Sequence, residues 1–129
     1  MKKDIVHPKV QDIAIAVVKE GGRWDVYMLN LKDKKIENVL ITSKGYGEKN
    51  GEKVKTSTIR RFWKSLSPKS FKKIEPIMEN LFGLSNEFWV SFYIGKTIYD
   101  KKYVFVAETI KKEHFITVPL INKKGVMIK

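Results

Sequence analysis

The sequence predicts an all-β chain folded as a β-sandwich, and three observations carry that expectation. Apolar residues alternate with a period of two through several runs, as they do in half-buried strands. Turn residues punctuate these runs at intervals of roughly 8–12 residues, the spacing of sandwiches and barrels. One segment alone, Ser67–Leu84, carries a spacing that also suits a helix.

Taken in order, the run Val10–Val18 comes first, with Ile13, Ile15 and Val17 on one face and Ala14, Ala16 and Val18 on the other. Glu20-Gly21-Gly22 follows as a turn, glycine being the residue that tolerates the positive φ of tight hairpins. Trp24–Leu31 then sets Trp24, Val26 and Met28 against Tyr27, Leu29 and Leu31, so the two runs read as a hairpin. After the polar break Asp33-Lys34-Lys35, Ile36–Ser43 is a third strand with Val39 and Ile41 on one face.

Asn50-Gly51 is the strongest short turn signal, because both residues accept the left-handed region that a type I′ turn demands. It joins Lys44–Lys49 to Glu52–Ile59, whose second half is β-branched and alternating. Asn86–Ile94 is the most aromatic strand, with Phe88, Val90, Phe92 and Ile94 opposed to Trp89, Ser91 and Tyr93. A turn at Gly95-Lys96 leads to Thr97–Tyr99, then Tyr103–Ala107, then Phe115–Ile121. Pro119 cannot donate a ladder hydrogen bond, which makes the last run an edge or bulged strand.

Within Ser67–Leu84, Phe71, Ile74, Met78, Leu81 and Phe82 fit a helix face, and Ser67-Pro68 resembles a cap. Pro76 opposes a continuous helix, since it lacks an N–H and clashes with the preceding turn. The reading is a strand over Ser70–Ile77, then a loop or helical turn. Eight or nine strands in one domain over residues 1–129 follow, with residues 1–9 flexible. The first expectation is an immunoglobulin-like sandwich without its cysteine pair; the runner-up is an oligonucleotide-binding type barrel.

The 129 residues are 43% hydrophobic and 31% charged, a globular balance. With no cysteine, disulfides, thiolate metal sites and cysteine nucleophiles are excluded, and a cytoplasmic location is expected. Asp4, His7 and Pro8 interrupt what would be the apolar core of a signal peptide, and no run approaches the ~18 apolar residues of a membrane span. The net charge of +12 favours nucleic acid or an acidic protein as partner. Against that stands the composition: only Arg23, Arg60 and Arg61 of the 26 basic residues are arginine, the side chain that grips phosphates bidentately.

Tyr27–Lys32, Val39–Gly47, Lys72–Ile77 and Trp89–Tyr93 resemble a family of small uncharacterised bacterial proteins. Some proteins similar to these are labelled automatically as a phenylalanyl-tRNA synthetase subunit. A synthetase catalytic subunit is several times longer, and none of its motif residues matches a position of this chain. The resemblance therefore implies kin and no site residues.

No catalytic constellation emerges. His7 and His114 stand without the converging ligands zinc needs, and the 14 acids are dispersed among lysines. There is no Gly-x-Ser-x-Gly elbow. Gly45-Tyr46-Gly47 before Gly51 lacks the Gly-Lys-Ser/Thr of a phosphate loop and reads as a hairpin. No catalytic residue, metal or cofactor is implied. An enzyme assembled from scattered residues would draw on Asp25, Glu75, Glu87, Asp100 and His114. A structural or assembly subunit pairing through an exposed edge strand is a further alternative.

One feature rises above this background. Between Lys44 and Lys73, ten basic residues face only Glu48 and Glu52, a net of +8, with Tyr46, Phe62, Trp63 and Phe71 interleaved. Charge along a backbone and rings under bases is how single-stranded nucleic acid is held. Alternation on a sheet, with aromatics inward and lysines outward, produces the same pattern. The candidate binding residues are Lys53, Lys55, Arg60, Arg61, Trp63, Lys64, Lys72 and Lys73, with Arg60, Arg61 and Trp63 as anchors. The sequence thus points to a non-enzymatic binding domain engaging an acidic protein surface or a nucleic acid.

Overall fold

The computed structural model describes residues 8–129. His7, and most of the N-terminal stretch expected to be flexible, lie outside the described residues. Ten strands are present among the described residues: β1 Ile13–Glu20, β2 Arg23–Asn30, β3 Ile36–Lys49, β4 Glu52–Lys55, β5 Ile59–Leu66, β6 Ser70–Ile77, β7 Ser85–Ile94, β8 Thr97–Phe105, β9 Ile116–Val118 and β10 Lys123–Ile128. The only helical pieces among them are two single 3-10 turns, Glu79–Leu81 and Lys112–His114.

The strands form two antiparallel sheets. The first has the order β6-β2-β1-β10-β9; the second has β4-β3-β7-β8, with β5 also pairing β3. Strands β4 and β5 share one edge of the 14-residue β3, β4 along Tyr46–Lys49 and β5 along Ile36–Ser43. The break between them, Thr56–Thr58, is held by Thr56, whose Oγ1 accepts from the Gly45 N–H at 2.7 Å. The expected strand Glu52–Ile59 is thus two: Thr56 still pairs with Gly45, its N–H donating to the Gly45 carbonyl at 2.9 Å, but its hydroxyl replaces its own carbonyl as the acceptor and the ladder breaks there.

Alternation places the core. Ile13, Ile15 and Val17 of β1 and Trp24, Val26 and Met28 of β2 face Val39, Ile41, Phe88, Val90, Phe92, Tyr103 and Phe105 of the second sheet. Burying one such aliphatic or aromatic side chain is worth about 1.5–3 kcal/mol. Tyr103, 1% exposed, also spans the layers by donating its hydroxyl to the Ile13 carbonyl at 2.9 Å. Burial pushes its phenol up from the ordinary value.

The opposite face of the first sheet is buried too, with Ala14, Ala16, Val18, Tyr27, Leu29 and Val118 under Leu31, Leu120, Ile121 and Met127. Near its rim Asp25, buried, has Lys73 Nζ at 3.3 Å and Arg23 Nε at 3.4 Å as counter-charges. On the same rim Tyr27 donates to Glu20 Oε2 at 2.9 Å, and Lys123 Nζ reaches Glu20 Oε1 at 2.8 Å.

Several expectations change on contact with the tertiary structure. Strand β10 is not among the expected runs, the last of which ends at Ile121. It is the partner of β1, and Gly125 is where it must be small: a Cβ there would run into the Val17 carbonyl oxygen. Strand β9 is a true edge strand, as Pro119 suggests, but it stops at Val118 and Pro119 lies in the turn that follows. Thr97–Tyr99 and the first part of Tyr103–Ala107 are one strand, β8, carried through Asp100-Lys101-Lys102 by pairing with β7 and ending at Phe105. A bulge at Asn38, whose φ is 48°, turns both Ile36 and Val39 inward although they are three residues apart.

The ambiguous segment resolves as the proline argument requires. β6 covers Ser70–Ile77, and a 3-10 turn at Glu79–Leu81 follows. Asn50 and Gly51 both take positive φ, 54° and 79°, as a type I′ hairpin needs.

Candidate nucleic-acid interface

The outward face of the second sheet is built from the residues that alternation turns away from the core. Cross-strand register lays them out in rows. One row runs Arg60, Thr42, Trp89, Lys102; the next runs Phe62, Leu40, Ser91, Asp100; Tyr93 and Ile98 pair in a third. Phe62 is 62% exposed and Trp89 48%, and Leu40, Tyr93 and Ile98 are exposed beside them. Three rings thus stand on a sheet whose other face is the core. Trp89 and Tyr93, four residues apart on β7, are about 13 Å apart along the strand, and Phe62 lies two strands and one row from Trp89, about 12 Å away.

Positive charge lies beside the rings, while Glu37 and Asp100 share their face. Lys102 Nζ sits 5.4 Å from the Trp89 ring centroid. Lys102 and Lys44 lie 3.9 and 3.8 Å from the nearly buried Glu87, to which Tyr46 also donates at 3.2 Å. Burial and this bond raise the Tyr46 phenol above its ordinary value. Arg60, Lys53, Lys55 and Lys64 are exposed or nearly so, and none makes an ion pair among the described residues.

The anchors expected from the sequence divide between the faces. Arg60 and Lys64 are exposed on β5, and Lys53 and Lys55 extend the same side along β4. Arg61 is also exposed, but it alternates to the other side of β5 from Arg60, where its Nε donates to the Ile74 carbonyl at 2.9 Å. Trp63 packs against the core edge with Lys72 Nζ 5.3 Å over its ring. Lys73 belongs to the first sheet, beside Asp25 and over Tyr27. The segment Lys44–Lys73 is therefore not one surface. Sequence reasoning missed Trp89, Tyr93 and Lys102, which lie outside it; the signal was the Trp89, Ser91, Tyr93 alternation opposite Phe88, Val90 and Phe92.

The residues an enzyme would need are scattered over different faces. Asp25 lies on the outer side of the first sheet, and Glu87 and Asp100 belong to the outer side of the second. His114 is in an exposed 3-10 turn, its Nδ1 2.8 Å from the Thr109 carbonyl. Glu75 alone lines a cleft, of about 260 Å³, where Ser43 Oγ donates to it at 2.8 Å. Burial raises its carboxyl above the usual range, with Ser43 and Arg61 acting against that shift. Among the described residues no three His, Asp or Glu side chains are grouped to hold a metal. No described helix is long and apolar enough to cross a membrane.

No known protein-family model matches this chain, and no curated protein matches it significantly.

Proposed function

We propose that the chain is a binding domain for single-stranded nucleic acid, with the outward face of the second sheet as its platform. The observation that carries this reading is the exposure of Phe62, Trp89 and Tyr93 on a strand-built face flanked by unpaired Arg60, Lys53, Lys55 and Lys64. A flat, water-exposed aromatic face is costly to leave bare, and bases stack on such rings while lysines and arginines follow the phosphates. The lysine excess suits a contact that reads backbone charge rather than sequence.

The two layers support the immunoglobulin-like reading at the level of architecture. Its strand order, with the first strand at a sheet edge, is not the order here, where β1 lies between β2 and β10. A cytoplasmic location and kinship with small bacterial proteins belong to the same proposal.

The test is fluorescence anisotropy with a labelled single-stranded RNA of about 12–16 nucleotides at low salt. Saturable binding that an unlabelled single strand competes away better than a duplex is expected. No binding at low salt overturns the proposal, and retention of an acidic protein instead would reassign the face to that partner.

A further inference from the structure

At the far end of the first sheet a second site stands apart from this platform. A cleft of about 720 Å³ is lined by Trp24, Phe82, Ile110 and Phe115 and ringed by Lys19, Lys111, Lys112, Lys123 and Lys124. Its volume falls within the range of small-molecule sites, about 300–1,000 Å³. Phe82 and Phe115 meet the Trp24 ring edge-on, with centroids 5.0 and 5.6 Å away at 87° and 70°. The Trp24 indole N–H is already satisfied by Glu79 Oε1 at 2.8 Å. That bond leaves the aromatic wall without a free polar group and engages the one carboxylate in the lining.

The rim has the opposite character. Lys123 is held by Glu20, Lys124 donates to Thr117 Oγ1 at 2.8 Å, and Lys111 lies 3.5 Å from Glu113. Lys19 and Lys112 make no ion pair among the described residues, and Lys19 Nζ stands 5.6 Å from the Trp24 ring centroid. With Lys123 paired to Glu20 and Lys111 to Glu113, the charge left without a carboxylate partner among the described residues is on Lys19, Lys112 and Lys124, and that excess attracts an anion to the rim.

We infer that this cleft binds a small organic anion, its flat apolar body against Trp24, Phe82 and Phe115 and its carboxylate or phosphate between Lys19 and Lys112. The lining carries both halves of that chemistry, and neither half alone explains the other. An uncharged apolar ligand would leave Lys19 and Lys112 without a counter-ion, and an inorganic anion would leave the part-exposed Phe82 and Phe115 in water.

The test follows the indole N–H resonances by two-dimensional NMR, since Trp24, Trp63 and Trp89 occupy three different environments. The probes are 2-naphthyl phosphate, 2-naphthoate, uncharged 2-naphthol and inorganic phosphate. Saturable movement of the Trp24 resonance with at least one naphthyl anion, with Trp89 unmoved, is expected; the stronger of the two anions identifies the head group. Affinity should fall about tenfold for 2-naphthol and by a similar factor in the Lys19→Gln/Lys112→Gln variant, a loss that corresponds to about 1.4 kcal/mol. Both lysines are exposed, so an unchanged amide spectrum will verify the fold of that variant. Failure of both naphthyl anions to saturate, equal binding of 2-naphthol, or an unchanged affinity in the variant overturns the inference. These readouts sit on Trp24 and the oligonucleotide assay on the Trp89 face, so either proposal can fail alone.

Discussion

The two outward faces of this sandwich are made by the same alternation and have opposite fates. On the first sheet the outward residues Ala14, Ala16, Val18, Tyr27 and Leu29 are buried beneath Leu31, Leu120, Ile121 and Met127. On the second sheet the outward residues are large, Phe62, Leu40, Trp89, Tyr93 and Ile98, and they remain in water. A covered apolar face contributes to folding. A bare one of similar polarity contributes little to folding and is available for a ligand. Stability and binding should therefore separate cleanly between the two sheets.

The largest expected effect lies on the covered side. Leu29→Ala should cost about 2–5 kcal/mol in urea unfolding, because it empties a fully buried position. Phe62→Ala, on the bare face, should change stability by only about 0.5 kcal/mol. Equal losses at the two positions would abolish the contrast.

Next comes the aromatic platform. Trp89→Ala should weaken single-stranded RNA binding by about 1–3 kcal/mol, roughly 5- to 150-fold, without a comparable loss of stability. A smaller sharpening comes from salt. With about six phosphate contacts, the slope of log affinity against log salt should be roughly −4 to −5, and Arg60→Gln should make it shallower by about 0.7. An Arg61→Gln variant should leave that slope unchanged, because Arg61 alternates to the side of β5 opposite Arg60 and its Nε is turned to the Ile74 carbonyl; a change there would contradict the division of faces.

The smallest effect is a pH dependence at the covered rim. The Glu20 carboxyl is lowered from 4.5 to about 2 by the neighbouring Asp25, then by the Lys123 ammonium and the Tyr27 hydroxyl that donates to it. A depressed carboxyl stabilises the fold above its unfolded value and loses that contribution as pH falls through the folded one. The melting-temperature gap between the wild type and Glu20→Gln should therefore be full above about pH 4.5 and close toward pH 2. A gap that stays constant over that window would remove Glu20 from the account.

The strands that could be seen in the sequence are those whose alternation is strong on both faces. Val10–Val18 and Trp24–Leu31 separate into their two faces residue by residue, and Asn50-Gly51 announces its hairpin. The site was half legible. Arg60, Lys53, Lys55 and Lys64 stand out as charge, but Arg61 and Trp63 could be placed only by knowing which parity of β5 faces inward. Trp89 and Lys102 could be joined to Arg60 only by the register of β3 with β5 and β7 and of β7 with β8.

Local pattern determined that this chain is strand-built, where its tight turns fall, and which side chains share a face, because a pleated backbone sends alternate residues to opposite sides. Which of those faces meets another layer depends on partners far away in the chain. β10 closes on β1 more than a hundred residues upstream, the bulge at Asn38 resets the inward parity of β3, and β5 shares an edge with β4. Such pairings depend on long-range register and packing, which no local run of residues encodes, so tertiary structure alone decided which aromatic face was left open to water.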